Sequence, residues 1–302
     1  MIVRDKPNAW QLLFVMKGSI IPAIAPRLAA VTLLSVAVVA LQETGLIRVH
    51  EIAALPFSLI GIALSIFAGF RNSACYDRWW EGRKVFGQLL VEARSFARLQ
   101  LAVRDAAAGR RAAYGAVAFG HLLRHHLRGE PAGAEALAAL AAAGLPGVAA
   151  ARNPPNMLLT GLTREAAAAA AEGDVNPQVL QVLEERLVAM SGILAAAERI
   201  RATPVPYTYS LMLHRTAMLF CLLLPFGLAA AAGAWTPLLV LIVSYTFFGL
   251  DALGDELENP FGLGQNALPL TAMTRGIEID LREMLGEAEL PEPLRPVAFL
   301  LR

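Results

Sequence analysis

This chain of 302 residues is poor in charged side chains, in cysteine and in aromatic residues. Only 17% of its residues are charged and 56% are hydrophobic, whereas soluble domains are about a quarter charged and roughly half apolar. This composition argues against an ordinary soluble protein and predicts a membrane protein. The net charge is only +1, and no basic run with interleaved aromatic residues occurs, which disfavours a nucleic-acid partner. Two cysteines, Cys75 and Cys221, are too few for a disulfide framework, so we expect free thiols.

The chain also lacks the motifs of enzymes and of cofactor-binding proteins. No phosphate loop, dinucleotide fingerprint or redox motif occurs, and Ser65 and Ser210 have no histidine and acid in a catalytic motif. His121 and His125 have the helical spacing of a two-point metal site, but no third ligand is in view. A solvated or interfacial histidine pair is therefore favoured. We expect no enzyme activity, no catalytic residue, no cofactor and no bound metal.

Long uncharged stretches predict four membrane-spanning helices. The first is 28–42, and the second, 52–70, is about 28 Å long as a helix, which matches the hydrocarbon thickness of a bilayer. The segment 216–250 has no charged residue and is too long for one crossing. The string Gly-Ala-Trp-Thr-Pro at 233–237 divides it, so we expect a helical hairpin whose first helix covers about 207–231.

Basic residues predict the orientation of these helices. Sixteen of the 26 Lys and Arg residues lie between Arg71 and Arg201, whereas the predicted outer loop at 43–51 has only Arg48. The positive-inside rule therefore places both termini and the middle region in the cytoplasm. We therefore predict a cytosolic N-terminal segment at 1–27, two spans at 28–70 and a helical cytosolic region at 71–203. Two further spans are predicted at 204–250, and a cytosolic C-terminal segment at 251–302.

One charge falls near membrane depth in this arrangement. Arg215 lies in the third predicted span, where an unpaired charge is costly. We expect it to pair with Asp251.

The middle region is helical by composition. Alanine-rich pieces at 106–118, 135–143 and 165–172 are strong helix formers. A further helix is predicted to start with Asn176 as its cap and Pro177 at its first position.

Two rows of residues repeat every four positions in the second predicted span. The small row consists of Gly61, Ser65 and Gly69, and the large apolar row of Ile62, Ile66 and Phe70. Small rows let membrane helices approach closely. If several copies packed through the small row around a common axis, the large row would face that axis and form a hydrophobic constriction. The alternative, favoured by spacing alone, is that the large row contacts lipid or another span.

Three strings add a resemblance to a known family. They are the segment 57–89 with Arg78-Trp-Trp80, the string Thr203-Pro-Val-Pro-Tyr207, and Asp255–Gly262, which ends in Asn-Pro-Phe-Gly. In this order they resemble the bestrophin family, and specifically its bacterial branch. The resemblance implies an all-α integral membrane protein with four transmembrane helices and a large helical cytosolic portion, assembled as a homopentamer around a single axial pore. Its second span would line the pore and form the neck with Ile62, Ile66 and Phe70.

The resemblance also implies a function and a location. The expected function is an ion channel for small monovalent ions, with chloride as the family's usual ion and cation selectivity known in the bacterial branch. The expected partners are further copies of the chain, the lipid bilayer and the permeant ions. The expected location is the plasma membrane, here a bacterial inner membrane, with several spans. A secondary transporter or a membrane scaffold remains as the alternative.

The chain departs from the family in two places. Animal bestrophins continue after Asn-Pro-Phe-Gly with carboxylates that hold calcium, whereas this chain continues with 263–268, which offers at most two side-chain amides. Calcium activation is therefore not expected. The acids Asp251, Asp255, Glu256 and Glu258 would hold a cation or, as favoured here, form a solvated or salt-bridged helix end. The family's lower, apolar aperture aligns with Gln178 and its neighbour Val179, which predicts a wetter constriction.

Overall fold

The computed structural model describes residues 1–4, 8–47 and 54–302. The described residues form helices, with isolated β-bridges only at Ile2–Leu300 and Val297–Leu300, so the predicted all-α class is confirmed. The helices are α1 (Ala9–Phe14), α2 (Ile21–Glu43), α3 (Ala54–Val103), α4 (Ala106–Arg128), α5 (Ala134–Ala142), α6 (Pro154–Ala171), α7 (Pro177–Ala202), α8 (Tyr207–Ala232), α9 (Thr236–Glu258) and α10 (Leu270–Met284), with short 3-10 turns at Pro146–Ala150 and Gly233–Trp235.

The chain divides into two compact units. The first, called here the span unit, comprises 4–79 and 204–259 and contains α1, α2, the first half of α3, α8 and α9. Helices α2, α8 and α9 pack against one another. Their apolar core includes Ile24, Val31, Cys221 and Phe248, and Leu64 of α3 joins it. Both cysteines are buried and free, as predicted.

Three helical stretches among the described residues are long and apolar enough to cross a membrane. They are Ile21–Glu43, Pro56–Val103 and Tyr207–Glu258. The last consists of α8 and α9, and the turn between them lies where the sequence predicted a hairpin. At this turn Gly233 has a φ of +51°, which favours glycine. The count of four spans stays a prediction, and residues 48–51 of the predicted outer loop lie outside the described residues.

The second unit, called here the alanine-rich unit, comprises 1–3, 80–203 and 260–302. Its central helix α4 packs against α5, α6 and α10, and Phe119 and Leu123 of α4 are fully buried. The predicted start of α7 is confirmed: Pro177 is its first residue, and the Asn176 side chain accepts a hydrogen bond from the Val179 amide at 2.8 Å. Small alanine side chains let these helices pack closely.

The prediction of a solvated or interfacial histidine pair on α4 is wrong. His121 is only 1% exposed, and its Nε2 lies 3.1 Å from Oε2 of Glu278 on α10. His125 is also buried, and its Nδ1 lies 3.3 Å from Oε2 of Glu130. Burial, together with the neighbouring charge of Arg124, lowers the pKa of His125. Helix α10 thus covers His121, whereas the chain that follows α4 covers His125, which also lies 3.9 Å from Glu135 of α5.

Candidate pore-lining helix and its buried ion pairs

Helix α3 packs within the span unit along one narrow face. Leu64, Arg71 and Cys75 on this face are 3%, 2% and 0% exposed. Their spacings of seven and four residues place them on the same side of a helix. Most other side chains of α3 between 58 and 77 are exposed in the isolated subunit.

The large apolar row lies on the other side of α3. Ile62, Ile66 and Phe70 are 59%, 52% and 66% exposed. At about 100° per residue, the centre of this row is roughly 160° around the helix axis from the centre of the buried face. A single subunit therefore leaves this apolar row uncovered.

The small row lies between these two faces and winds around the helix. A methyl group added at Gly61 would lie 3.4 Å from the ring of Phe220, so this glycine already packs against α8 of its own chain. Ser65 is exposed, and its hydroxyl donates to the Gly61 carbonyl at 2.8 Å. A methyl group added at Gly69 would have no neighbour within 4 Å. Of this row, Ser65 and Gly69 are thus left open to another helix.

A network of charges joins α3 to the end of α9. Arg71 Nη1 donates to the Asp251 carbonyl at 3.0 Å and to its Oδ1 at 3.2 Å. Nη2 of Arg71 donates to Asp255 and lies 3.5 Å from Oε2 of Glu258. His214 Nδ1 also lies 2.8 Å from Oδ2 of Asp251. Because Arg71 and Asp251 are both buried, each requires the other's charge.

The predicted pair between Arg215 and Asp251 is wrong. Arg215 is exposed on α8, and Asp251 pairs instead with Arg71, His214 and, at 3.6 Å, Arg27. Adjacent helical residues point about 100° apart, so His214 rather than Arg215 faces α9.

The network also bears on the acids before the Asn-Pro-Phe-Gly string. Asp251, Asp255 and Glu258 all face the guanidinium of Arg71, which agrees with the salt-bridged helix end. No group of three or more metal-binding side chains occurs within the part of the chain that the structure describes. Sequence reasoning placed Arg71 only at the start of the predicted cytosolic region, directly after the second span, and missed its burial. The spacing of four and three residues between these acids was the available signal, because it puts them on one face of α9.

The helices approach closely at this network, which allows a test by substitution. A methyl group at Gly254 of α9 would lie 2.8 Å from both Arg71 Nη1 and Asn72 Oδ1. Since the carboxylates hold the guanidinium in place, we expect Gly254→Ala to lower the free energy of unfolding by about 1–3 kcal/mol. Thermal unfolding of purified protein in detergent measures this loss.

Gly276 on α10 provides the matched control, because nothing lies within 4 Å of an added methyl group there. Gly276→Ala is expected to be neutral or to stabilise the helix by about 1 kcal/mol. Equal effects of the two substitutions would contradict close packing at Gly254.

The predicted aperture residues lie in the first turn of α7, in the alanine-rich unit. Gln178 is exposed and Val179 is partly buried. The backbone amide of Val179 donates to the Asn176 cap, which fixes the backbone at the start of α7.

These features together define a class, namely an all-α integral membrane protein with a long, one-sidedly packed helix. The family model of the bacterial/fungal bestrophin proteins matches residues 1–283. The chain belongs to this family.

Curated relatives and a solved structure agree with this assignment. A voltage-dependent anion channel-forming protein of Mesorhizobium japonicum is 43% identical over 289 residues, covering 95% of this chain and 93% of the relative. A protein of the same description from Escherichia coli K12 is 40% identical, covering 98% of each chain. The crystal structure of a bacterial bestrophin homologue from Klebsiella pneumoniae matches with a TM-score of 0.82 at 34% identity, over 88% of this chain and 100% of the homologue.

Proposed function

We propose that copies of this chain assemble into a homopentamer that forms an ion channel, with α3 of each subunit lining a single axial pore. The observation that carries the proposal is the exposure of Ile62, Ile66 and Phe70 opposite the face that packs within the subunit. Family membership and the channel names of the relatives from Mesorhizobium japonicum and Escherichia coli support it. They favour a channel over an enzyme.

The large apolar row would form the neck of this pore. Five copies of Ile62, Ile66 and Phe70 around an axis make three apolar layers, which impede ions because they offer no replacement for the ion's hydration shell. Ser65 and Gly69 flank the row, are open in the subunit, and would let the next copy of α3 approach. Gly61 serves the packing of α3 on α8 in the same chain.

Gln178 and Val179 would form a second constriction. The side chain of Gln178 is exposed, and its amide is able both to donate and to accept hydrogen bonds. A ring of five such amides would be wetted more easily than an apolar ring, so the neck would present the larger barrier.

The permeant ions would be small and monovalent. Chloride follows from the family resemblance and agrees with the anion-channel names of the relatives; cation selectivity is the alternative, as in part of the bacterial branch. The neck row carries no formal charge, and Arg71 at its end is neutralised by carboxylates. Selectivity would therefore depend on charged residues elsewhere along the pore.

Calcium activation is not proposed. Asp251, Asp255 and Glu258 are engaged by Arg71, and 263–268 carries no carboxylate. Calcium requires six to eight oxygen ligands, several of them charged. The proposed location is a bacterial inner membrane with both termini in the cytoplasm, from the distribution of basic residues.

Bilayer recording tests the proposal. Purified protein reconstituted in a planar bilayer under asymmetric salt is expected to show discrete single-channel currents, and the reversal potential reports the preferred ion. Native mass measurement in mild detergent is expected to give five chains of 32.3 kDa. Absence of single-channel currents would overturn the channel, and would favour a secondary transporter or a membrane scaffold.

A further inference from the structure

A polar pocket lies within the alanine-rich unit. Its walls are the end of α3, the first turns of α4 and one face of α6. The floor is apolar, with Leu162 and several alanines. Its polar lining consists of Gln100, Arg104, Arg111, Glu165 and Glu172.

Two polar groups of this pocket are buried without a partner in the described structure. Gln100 is only 3% exposed, and its Oε1 accepts no hydrogen bond. Nε of Arg104 is also buried and donates no hydrogen bond. Buried polar atoms of this kind are costly unless a water or a ligand satisfies them. The fold therefore holds prepared donors and acceptors around an open volume.

Opposite charges face each other across the pocket. Arg104 and Arg111 both act electrostatically on Glu165, yet no ion pair within 4.0 Å joins them to it in the part of the chain that the structure describes. Burial raises the pKa of Glu165, and the charges of Arg111 and Arg104 oppose that rise. Among the described residues, both signs of charge therefore line the pocket without being paired with each other within 4.0 Å.

We propose that this pocket binds a small dipolar molecule with a carboxylate at one end and an ammonium group at the other, the chemical class of the amino acids. The guanidinium groups of Arg104 and Arg111 donate to the carboxylate, a pairing that suits arginine's planar fork. The ammonium group donates to the carboxylate of Glu165 and to Oε1 of Gln100, because these oxygen atoms are hydrogen-bond acceptors.

The charge of the lining selects a dipolar ligand over a simple ion. Two arginines and two glutamates cancel, so a lone anion faces the glutamate carboxylates and a lone cation faces two guanidinium groups. Like charges in a partly buried site oppose binding. Only a ligand that carries both signs satisfies both ends of the pocket.

Calorimetric titration of the purified protein in detergent tests this inference. The probes are glycine, 3-aminopropanoate and 5-aminopentanoate, which space the two charges differently, together with pentanoate and pentylamine, which each lack one charge. We expect saturable binding of at least one amino acid. Each one-charge analogue is expected to bind about ten- to a hundred-fold more weakly, because it loses a charge-assisted hydrogen bond.

Substitutions test which pocket residue binds each end of the ligand, with Arg104 expected at the carboxylate and Glu165 at the ammonium group. Arg104→Gln and Glu165→Gln are each expected to weaken binding about ten-fold or more. Arg164→Gln is the control, since Arg164 is exposed next to Glu165 on α6 and does not line the pocket; it is expected to leave affinity unchanged.

Three results would overturn the inference. They are no binding of any amino acid up to millimolar concentration, binding of pentanoate as tight as that of the amino acids, and equal weakening by Arg164→Gln. The comparison of probes uses the native chain and so does not depend on the folding of a variant. If a side chain of a neighbouring subunit fills the pocket instead, no amino acid is expected to bind, which is the first of these results.

Discussion

Ile66→Ala is expected to raise single-channel conductance on the order of ten-fold, because a drop of about 1.4 kcal/mol in the barrier at the neck has that effect on rate. Ile66 is the middle residue of the exposed apolar row on α3 and is 52% exposed in the subunit. In a pentamer the substitution changes five side chains in one layer, so the constriction widens and wets more readily. Planar-bilayer recording at fixed salt and voltage measures the change.

The opposite substitution and a matched control complete this test. Ile66→Phe adds bulk to the same layer and is expected to lower conductance. Ile60→Ala changes the same residue type at a similarly exposed position, 45%, on another side of α3, and is expected to leave conductance unchanged. If the substitutions at Ile66 leave conductance unchanged, or if Ile60→Ala changes it as much, the neck is not formed by this row.

Arg71→Ala is expected to lower the free energy of unfolding by about 3–5 kcal/mol, because it leaves the buried carboxylate of Asp251 without its buried partner charge. The guanidinium is 2% exposed and contacts Asp251, Asp255 and Glu258 of α9. Loss of these contacts weakens the packing of α3 against α9, and it does so most at Asp251, which is itself buried. Thermal unfolding in detergent and the yield of folded protein both report the loss.

Two further variants show whether the loss of stability comes from the charge of Arg71 or from its buried position. Arg71→Lys keeps the charge but makes fewer simultaneous hydrogen bonds, so an intermediate loss is expected. Arg83→Ala removes an exposed arginine of the same helix and is expected to change stability by less than about 0.5 kcal/mol. A small effect of Arg71→Ala, equal to that of Arg83→Ala, would show that the network contributes little.

Local features of the fold were predictable because neighbouring residues decide them. The cap of α7 by Asn176 needs only a side-chain oxygen next to free backbone amides, and Pro177 cannot donate in any case. The turn between α8 and α9 follows from Gly233 in a long apolar segment. The two rows of α3 follow from helical periodicity alone.

Partners across the fold were not predictable in the same way. Arg215 was assigned to Asp251, although Arg71, 180 residues away in sequence, is the residue that contacts it. His121 was expected to be solvated or interfacial, yet α10 covers it and supplies Glu278. Sequence spacing shows which residues share a helix face, but it does not show which other helix that face meets.

The amino-acid sequence alone established a helical membrane protein, its apolar segments and the two rows on α3, because composition and periodicity are properties of the chain itself. Only the tertiary structure decided which side of α3 is covered. Leu64 and Arg71 are buried against α8 and α9, and Ile62, Ile66 and Phe70 are left exposed. It also brought Gln100, Arg104 and Glu165 to one pocket. Burial and charge pairing depend on contacts between distant helices, so they exist only once the chain has folded.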